Sequence, residues 1–304
     1  QFPIVGSPLL APLKELGGEA VTEEILTAWG KAYGVLANIF IGRESEIYQE
    51  KAEQPGGWQG GRPFVITHKQ AESDAITAFV LTPVDGLPVL DFQPGQCLSL
   101  KLAHPDLSYQ EIRQYSLSDA PNGRSYRISV KRESRGQVSN LLHDKLQQGD
   151  RLEVMPPAGD FVLTARPDQA VVLISAGVGQ TPMLSMLNQL LAMGHGADIR
   201  WLHACEQGAL HGFKQYIHTK SRQHERLLSR VWYRVPTEQD QQGEDYDFTG
   251  TMVLAQVQAL LPAGAHYYCC GPLPFMASIK QQLLALGVSG ERLHYEVFGP
   301  HQDL

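Results

Sequence analysis

The segment Arg113-Gln114-Tyr115-Ser116-Leu117-Ser118 carries the side chains best suited to chemistry in this chain. A guanidinium fork can neutralise a pyrophosphate, a tyrosine offers a flat face with a hydroxyl, and a serine hydroxyl can hydrogen-bond a ring nitrogen that accepts hydride. Such a set suits a planar, phosphate-bearing redox ligand of the flavin type. On a strand with period-two alternation, Arg113 and Tyr115 project to one side and Gln114 and Ser116 to the other. The plainer alternative is an edge strand with a solvated Arg and a half-buried Tyr.

Three further stretches point the same way. Lys131-Arg132 precedes Gly136-Gln137-Val138-Ser139, so basic side chains sit beside backbone N–H groups at a helix start, an arrangement that receives phosphate unless it is only a solvated basic turn. The apolar run Ala170 to Ser175 feeds Ala176-Gly177-Val178-Gly179-Gln180-Thr181-Pro182, a strand, glycine turn and helix start suited to a dinucleotide, although the third glycine of the usual fingerprint is missing. The strand His266 to Cys270 ends in Cys270-Gly271-Pro272, which places a second glycine turn at the carboxyl edge of the same parallel sheet. Glu206, just after a strand from Ile199 to Ala204, is a candidate neighbour for an adenosine ribose; its charge would repel a 2′-phosphate and favour NADH over NADPH, the alternative being a solvated loop acid. Cys270 has no His beside it in sequence, which argues against a nucleophile, and His203 and His211 lack a third partner for a metal.

The elements that must position these groups follow from periodicity. Thr22 caps a long helix with Glu23 and Glu24 in its first turn and Ile25, Trp29, Leu36 and Ile39 on one stripe, after a shorter helix from Leu9 to Leu16. Two helices alone bury too little surface to stand as a domain. The glycine- and proline-rich 55–63 reads as a linker. Six short period-two strands follow, at Phe64 to Lys69, Ala75 to Thr82, Gln96 to Leu102, Arg113 to Leu117, Tyr126 to Lys131 and Arg151 to Met155, with one helix from Val138 to Leu146, as in an antiparallel barrel. Beyond Gln169, strands alternate with helices, as in a Rossmann-like α/β parallel sheet. The fold class is thus multidomain: helices, an antiparallel β-barrel and an α/β parallel-sheet domain.

A net charge of -7 gives no electrostatic footprint for nucleic acid. No apolar run reaches the roughly 18 residues of a membrane helix, and no basic n-region opens the chain, so no membrane segment and a cytoplasmic location are expected. Cys97, Cys205, Cys269 and Cys270 have no metal-type spacing and suit reduced thiols. The chain begins at Gln1 without a Met, which suggests a segment removed upstream.

Barrel first and parallel sheet second, with RQYS, GQVS, AGVGQTP and CGPLPFM in order, resembles the ferredoxin-NADP reductase superfamily. Phe2-Pro3-Ile4-Val5-Gly6, the stretch Leu26 to Ala37, and the closing Tyr295-Glu296-Val297-Phe298-Gly299-Pro300-His301 are similar to flavohaemoglobins. Those are nitric oxide dioxygenases in which NAD(P)H reduces FAD, FAD reduces haem, and oxygenated haem turns nitric oxide into nitrate. The resemblance implies the C-terminal helices of a globin domain at 1–54, an FAD-binding barrel at 64–166 and an NAD(P)-binding domain at 167–304. It implies that Arg113, Gln114, Tyr115 and Ser116 bind FAD, with Ser116 near the hydride-accepting nitrogen. Cys97 takes the place of a flavin-contacting residue that is often Tyr. Gly136, Gln137, Val138 and Ser139 complete the pyrophosphate site; Gly177, Val178, Gly179, Gln180, Thr181 and Pro182 cradle the nicotinamide dinucleotide, beside Cys270, Gly271 and Pro272. Phe298, within Val297 to Pro300, resembles the aromatic that covers the flavin, Glu296 a carboxylate that tunes the potentials, and Glu44 the acid of the haem-pocket relay.

Departures matter as well. The family's proximal His precedes the present Gln1, the first His here is His68, and the pocket Tyr aligns with Phe2. The expectation is a fragment of a longer flavohaemoglobin, a truncated natural reductase being the alternative, with haem b bound only if further globin helices are present. The partners implied are NAD(P)H, oxygen and nitric oxide, with the protein a monomer. Two other functions fit less of this pattern: a haem-independent NAD(P)H:flavin or ferric reductase, and an oxygen- or haem-binding globin with a vestigial flavin module.

Overall fold

The computed structural model describes residues 2–299, as two compact units, 1–60 and 61–304. In the first, α1 (Phe2–Gly17) leads through a 3₁₀ turn to α2 (Glu23–Glu53). The Thr22 hydroxyl accepts from Ile25 N at 3.4 Å, so the cap is the one the sequence announces, while α1 starts earlier than Leu9. Ala37 is the buried residue of α2, and Trp29, Leu36, Ile39 and Phe40 are exposed. The expectation that no run could span a membrane needs correcting: α2 contains an 18-residue window of mean hydropathy 1.2, long and apolar enough by length and composition. Between Glu24 and Arg43 its only charged residue is Lys31, which leaves that stretch largely apolar.

The second unit opens on β1 (Arg62–Ala71), so the strand already occupies Arg62 and Pro63, which the sequence assigns to the linker. Pro63 is tolerated because its missing N–H falls near the strand start. With β2 (Ile76–Pro83), β3 (Cys97–Leu102), β4 (Glu111–Ser116), β5 (Tyr126–Lys131) and β6 (Arg151–Val154) it makes an antiparallel sheet ordered β4-β3-β6-β1-β2-β5. A bridge from Leu117 to Ile128 and the bond from Ser118 N to Arg127 O, 2.8 Å, join the two ends of that order and curl the sheet into a barrel. Phe64, Ile66, Phe79, Leu81, Leu98, Leu100, Ile128 and Val154 fill it. Helix α3 (Gln137–Asp144) follows β5.

The remaining strands are all parallel, ordered β10-β9-β8-β7-β11-β12: β7 (Val171–Ala176), β8 (Ile199–Cys205), β9 (Leu227–Tyr233), β10 (Phe248–Thr249), β11 (His266–Cys270) and β12 (Leu293–Glu296). Helices α4 (Gln180–Ala192), α5 (Lys214–Gln223) and α6 (Leu273–Ala285) complete the layers. Alternation along β7 decides which layer each residue joins: Val171 and Leu173 pack with Met183, Leu184 and Leu187 of α4, Val172 and Ile174 with Met276 and Ile279 of α6. Helix α5 starts at Lys214 because buried Phe213 is left-handed, φ 59°, and interrupts the helical path before it. A 3₁₀ segment, Leu254–Leu260, precedes β11, and the short strands β10 and β12 had no counterpart in the periodicity.

Candidate functional site

Between the barrel and the parallel sheet lies a cleft of about 760 Å³, within the range of small-molecule and cofactor sites. One wall is β4. Its residues 111–116 pair with β3 alone, so both faces and the free edge meet the opening, and Arg113, Gln114, Tyr115 and Ser116 all line it instead of dividing between two sides. Ser116 is buried; burial pushes the half-buried Tyr115 hydroxyl up to about 12, with the Arg113 charge opposing, so it stays a neutral donor. Arg113 is exposed and tethered by Glu111 at 2.7 Å and by the Ile112 carbonyl at 2.8 Å. Cys97, opposite Ser116 in register, also lines the cleft, its thiol donating to Ala158 O at 3.3 Å.

A second wall is the start of α3. The Ser139 hydroxyl accepts from Glu133 N at 3.1 Å and lies within 3.2 Å of Gly136 O, folding the loop so tightly that a Cβ on Gly136 would come 2.4 Å from that hydroxyl. Gly136, Gln137, Val138 and Ser139 line the cleft. The basic partners differ from expectation: Arg132 is held bidentately by Asp144 at 2.9 and 2.6 Å and lies outside the lining, whereas Lys131 and Arg135 are in it. Arg135 was missed because nothing in the run Lys131 to Arg135 shows which cation Asp144 captures.

The third wall comes from the parallel sheet. Gly177 has φ +54°, which admits the turn directly after β7, and Gly177–Gly179 form a 3₁₀ turn that runs into α4. Val178 and Thr181 reach the cleft, with the Thr181 hydroxyl donating to Val178 O at 3.0 Å. Gly179 packs on the other glycine turn: a Cβ there would sit 2.2 Å from Cys270 O. Gly271 is confined less severely: a Cβ there would sit 2.9 Å from the Phe275 ring and 3.2 Å from Ala176 N. Gln180 and Pro182, expected in the cradle, are buried within the protein and do not border the cleft, because α4 begins at Gln180 and turns them inward. Cys270 is likewise fully buried, so this turn can offer backbone but no thiol; desolvation, with Cys269 and Glu296 nearby, pushes that thiol far above its ordinary range.

Strand β12 closes the cleft. Its parallel pairing sets Glu296 beside Cys270 and delivers Glu296, Val297, Phe298 and Gly299 to the opening, where Phe298 stays 46% exposed. Pro300 falls outside the described residues, as does the structural setting of the Phe2 side chain. Glu44 belongs to the helical unit, where it accepts from Tyr48 OH at 2.9 Å. His203 and His211 are buried and stacked, ring centroids 5.0 Å apart, with Nδ1 atoms on Ser175 and Tyr233 hydroxyls, both at 2.9 Å; desolvation holds both neutral, His211 down to about 3. They are structural groups under the sheet's carboxyl edge.

Residues 63–163 match the oxidoreductase FAD-binding domain family and residues 173–281 the oxidoreductase NAD-binding domain family. A flavohemoprotein of Rhizobium meliloti (strain 1021) is 47% identical over 306 residues, which cover 99% of this chain and 76% of that protein. The chain belongs to the flavohaemoprotein family. Among solved structures, the FAD/NAD-binding domain of a nitric oxide dioxygenase from Vibrio cholerae O1 biovar El Tor is 44% identical, covering 80% of this chain and all (100%) of that one with a TM-score of 0.73. A flavohemoglobin from Malassezia yamatoensis, 23% identical, shares the fold over 98% of this chain and 74% of its own, TM-score 0.82. This flavohaemoprotein-family chain is therefore an FAD- and NAD-binding oxidoreductase. The cleft fits both groups: a hydroxyl pair and a guanidinium on β4, a helix start bordered by cations, and a glycine turn that brings Val178 and Thr181 to the opening.

Proposed function

We propose that the chain is the reductase part of a nitric oxide dioxygenase, taking hydride from NAD(P)H and passing electrons onward one at a time. The observation that carries this reading is the single cleft bounded by β4, the start of α3, the Gly177–Gly179 turn and the segment after β12. Bound FAD would supply the conversion from a two-electron donor to one-electron transfers. In this reading Arg113, with Lys131 and Arg135 across the cleft, neutralises the pyrophosphate, Tyr115 provides a stacking face and Ser116 a hydroxyl at the reactive ring edge. The Gly177–Gly179 turn and Cys270–Gly271 present bare backbone to the nicotinamide dinucleotide. Phe298 screens the cleft from water until a nicotinamide takes its place, and Glu296 supplies a negative field beside it.

The helical unit, 1–54, is read as globin helices, a reading supported by the shared fold with the Malassezia protein over nearly the whole chain. Glu44 would then be the acid of a haem pocket. No histidine precedes His68, which lies in β1, so the helical unit supplies no axial imidazole and no step through haem is derived from these residues. A second reading is a haem-independent flavin or ferric reductase, since every residue lining the cleft belongs to the unit 61–304.

Anaerobic titration of the FAD-loaded protein tests the proposal. Bleaching of the flavin by one equivalent of NADH or NADPH is expected; a flavin that stays oxidised under both overturns it. Reduction of added ferric citrate, with no haem absorbance after reconstitution with haemin, would select the second reading over the first.

A further inference from the structure

Glu206 and Arg234 directly follow the last residues of β8 and β9, Cys205 and Tyr233, just as Gly177 directly follows Ala176 of β7. The three strands are parallel neighbours, so dinucleotide turn, acid and base stand side by side on one sheet edge. Arg234 Nε donates to both Glu206 oxygens, each at 2.8 Å, and its two terminal nitrogens have no protein hydrogen bond among the described residues. The side chains are 61% and 48% exposed, yet the backbone beneath them is fixed. Arg234 N donates to Cys205 O at 2.9 Å and Val235 N to Glu206 O at 2.8 Å. Asp240 ties the two loops together, accepting from Gly208 N at 3.1 Å and from Thr237 N at 2.7 Å. Below, Tyr233 is bonded to buried His211.

An acid at the end of the strand after the glycine turn is where a dinucleotide's adenosine ribose is bound, and an arginine there accommodates a 2′-phosphate. Here both types are present and bonded to each other. A lone carboxylate would accept from the ribose hydroxyl and repel a phosphate; a carboxylate with the Arg234 guanidinium 2.8 Å away repels less. The unused guanidinium fork is a ready partner for a phosphate dianion, at the cost of loosening its hold on Glu206. We infer that Glu206 and Arg234 form a two-sided coenzyme selector: Glu206 takes the 2′-hydroxyl of NADH and Arg234 the 2′-phosphate of NADPH. This rests on the hydride-transfer reading above for its kinetics and on the adenosine site alone for its binding. The pair therefore softens the exclusion of NADPH that an isolated Glu206 would impose.

The test uses the full chain loaded with FAD, as parent, Glu206→Gln and Arg234→Gln. Two quantities are read: kcat/KM for NADH and NADPH with ferricyanide as acceptor, and calorimetric affinities for 5′-AMP and adenosine 2′,5′-bisphosphate. Loss of one charge-assisted contact should shift the NADPH:NADH ratio by about tenfold, upward in Glu206→Gln and downward in Arg234→Gln. KM should carry the change, since the ribose is remote from the reacting carbon. The bisphosphate:AMP affinity ratio should move in the same directions. Ratios within twofold of the parent in both variants, or an equal loss for both nucleotides in Arg234→Gln, would overturn the inference. A parent that binds the two adenosine nucleotides but whose flavin neither coenzyme bleaches would refute the hydride reading instead, and the binding ratios would still decide the selector.

Discussion

The barrel and the parallel sheet face one cleft, yet they prepare it by opposite means. The barrel offers side chains: Arg113, Tyr115 and Ser116 stand on an edge strand whose backbone is already paired on one side, and Lys131 and Arg135 flank the start of α3. The sheet offers backbone: its contribution is two glycine turns packed so closely that a Cβ on Gly179 would run into the backbone of the other turn. Recognition by side chains can be lost one contact at a time while the fold survives. Recognition by backbone is inseparable from packing, because the same atoms that approach a phosphate also hold the strand ends together.

That difference breaks open most sharply at Gly179. In Gly179→Ala the new methyl would meet Cys270 O at 2.2 Å and Gly271 N at 2.8 Å, atoms of a paired strand end that cannot rotate away. We expect a loss of stability of about 1–3 kcal/mol from overpacking and a fall in the rate of flavin reduction of at least roughly a hundredfold, as for misplaced reacting groups. Thermal unfolding and stopped-flow bleaching would check both. Gly177→Ala is the control from the same turn: its φ is +54° but open space surrounds it, so only backbone strain of about 1 kcal/mol should appear. Equal damage in the two variants would show that the turn's conformation, not its contact with Cys270, is what matters. On the barrel side, Arg113→Ala should weaken FAD binding by roughly tenfold to a hundredfold, the worth of a charge-assisted contact, while the melting temperature of the FAD-free protein hardly moves because the side chain is exposed. Fluorescence titration of FAD measures the first, and a coupled loss of apoprotein stability would erase the contrast between the walls.

How far the sequence announced this site follows the same division. The six barrel strands and the β7 turn were legible because period-two alternation, a short apolar run and glycine leave local marks. Thr22 announced its helix cap for the same reason. What stayed hidden depends on partners far along the chain. Strand β12, only Leu293–Glu296, exists because β11 has an open edge, so Glu296 and Phe298 were assigned to the flavin by resemblance and not by any local mark. Gln180 and Pro182 looked like cradle residues because they adjoin the glycines, but the helix begins at Gln180 and its packed face takes them inward. Arg135 replaced Arg132 beside the anion loop because Asp144, on the far end of α3, holds the latter. Arg234 could not be foreseen as the partner of Glu206, since only the parallel pairing of β8 and β9 aligns their ends.

A pH-dependent effect lies beneath the backbone-built wall, in the two histidines that stiffen it. His211 is held neutral down to about 3 by burial, with the Lys214 charge adding to the effect, and His203 is lowered in the same direction by burial and by His211. In an unfolded chain both would take up a proton as the pH falls through about 6.5. The unfolded state therefore binds more protons than the fold between about 6.5 and the depressed folded values, so stability is complete above that range and declines as the solution is acidified. Each histidine contributes a slope of up to about 1.4 kcal/mol per pH unit, a fall of roughly 2–4 °C per kcal/mol in a unit of this size. Thermal unfolding between pH 7 and pH 5 should show it, and His211→Gln, which keeps a polar partner for the Tyr233 hydroxyl but does not titrate, should flatten the slope by about half. On the barrel wall, His143 is lowered as well, by desolvation, but it is only half-buried and bonded to Val130 O at 2.8 Å. Acid should accordingly loosen the NAD-side wall first, with reduction by NADH declining before FAD is released; the reverse order would place the acid-sensitive element in the barrel.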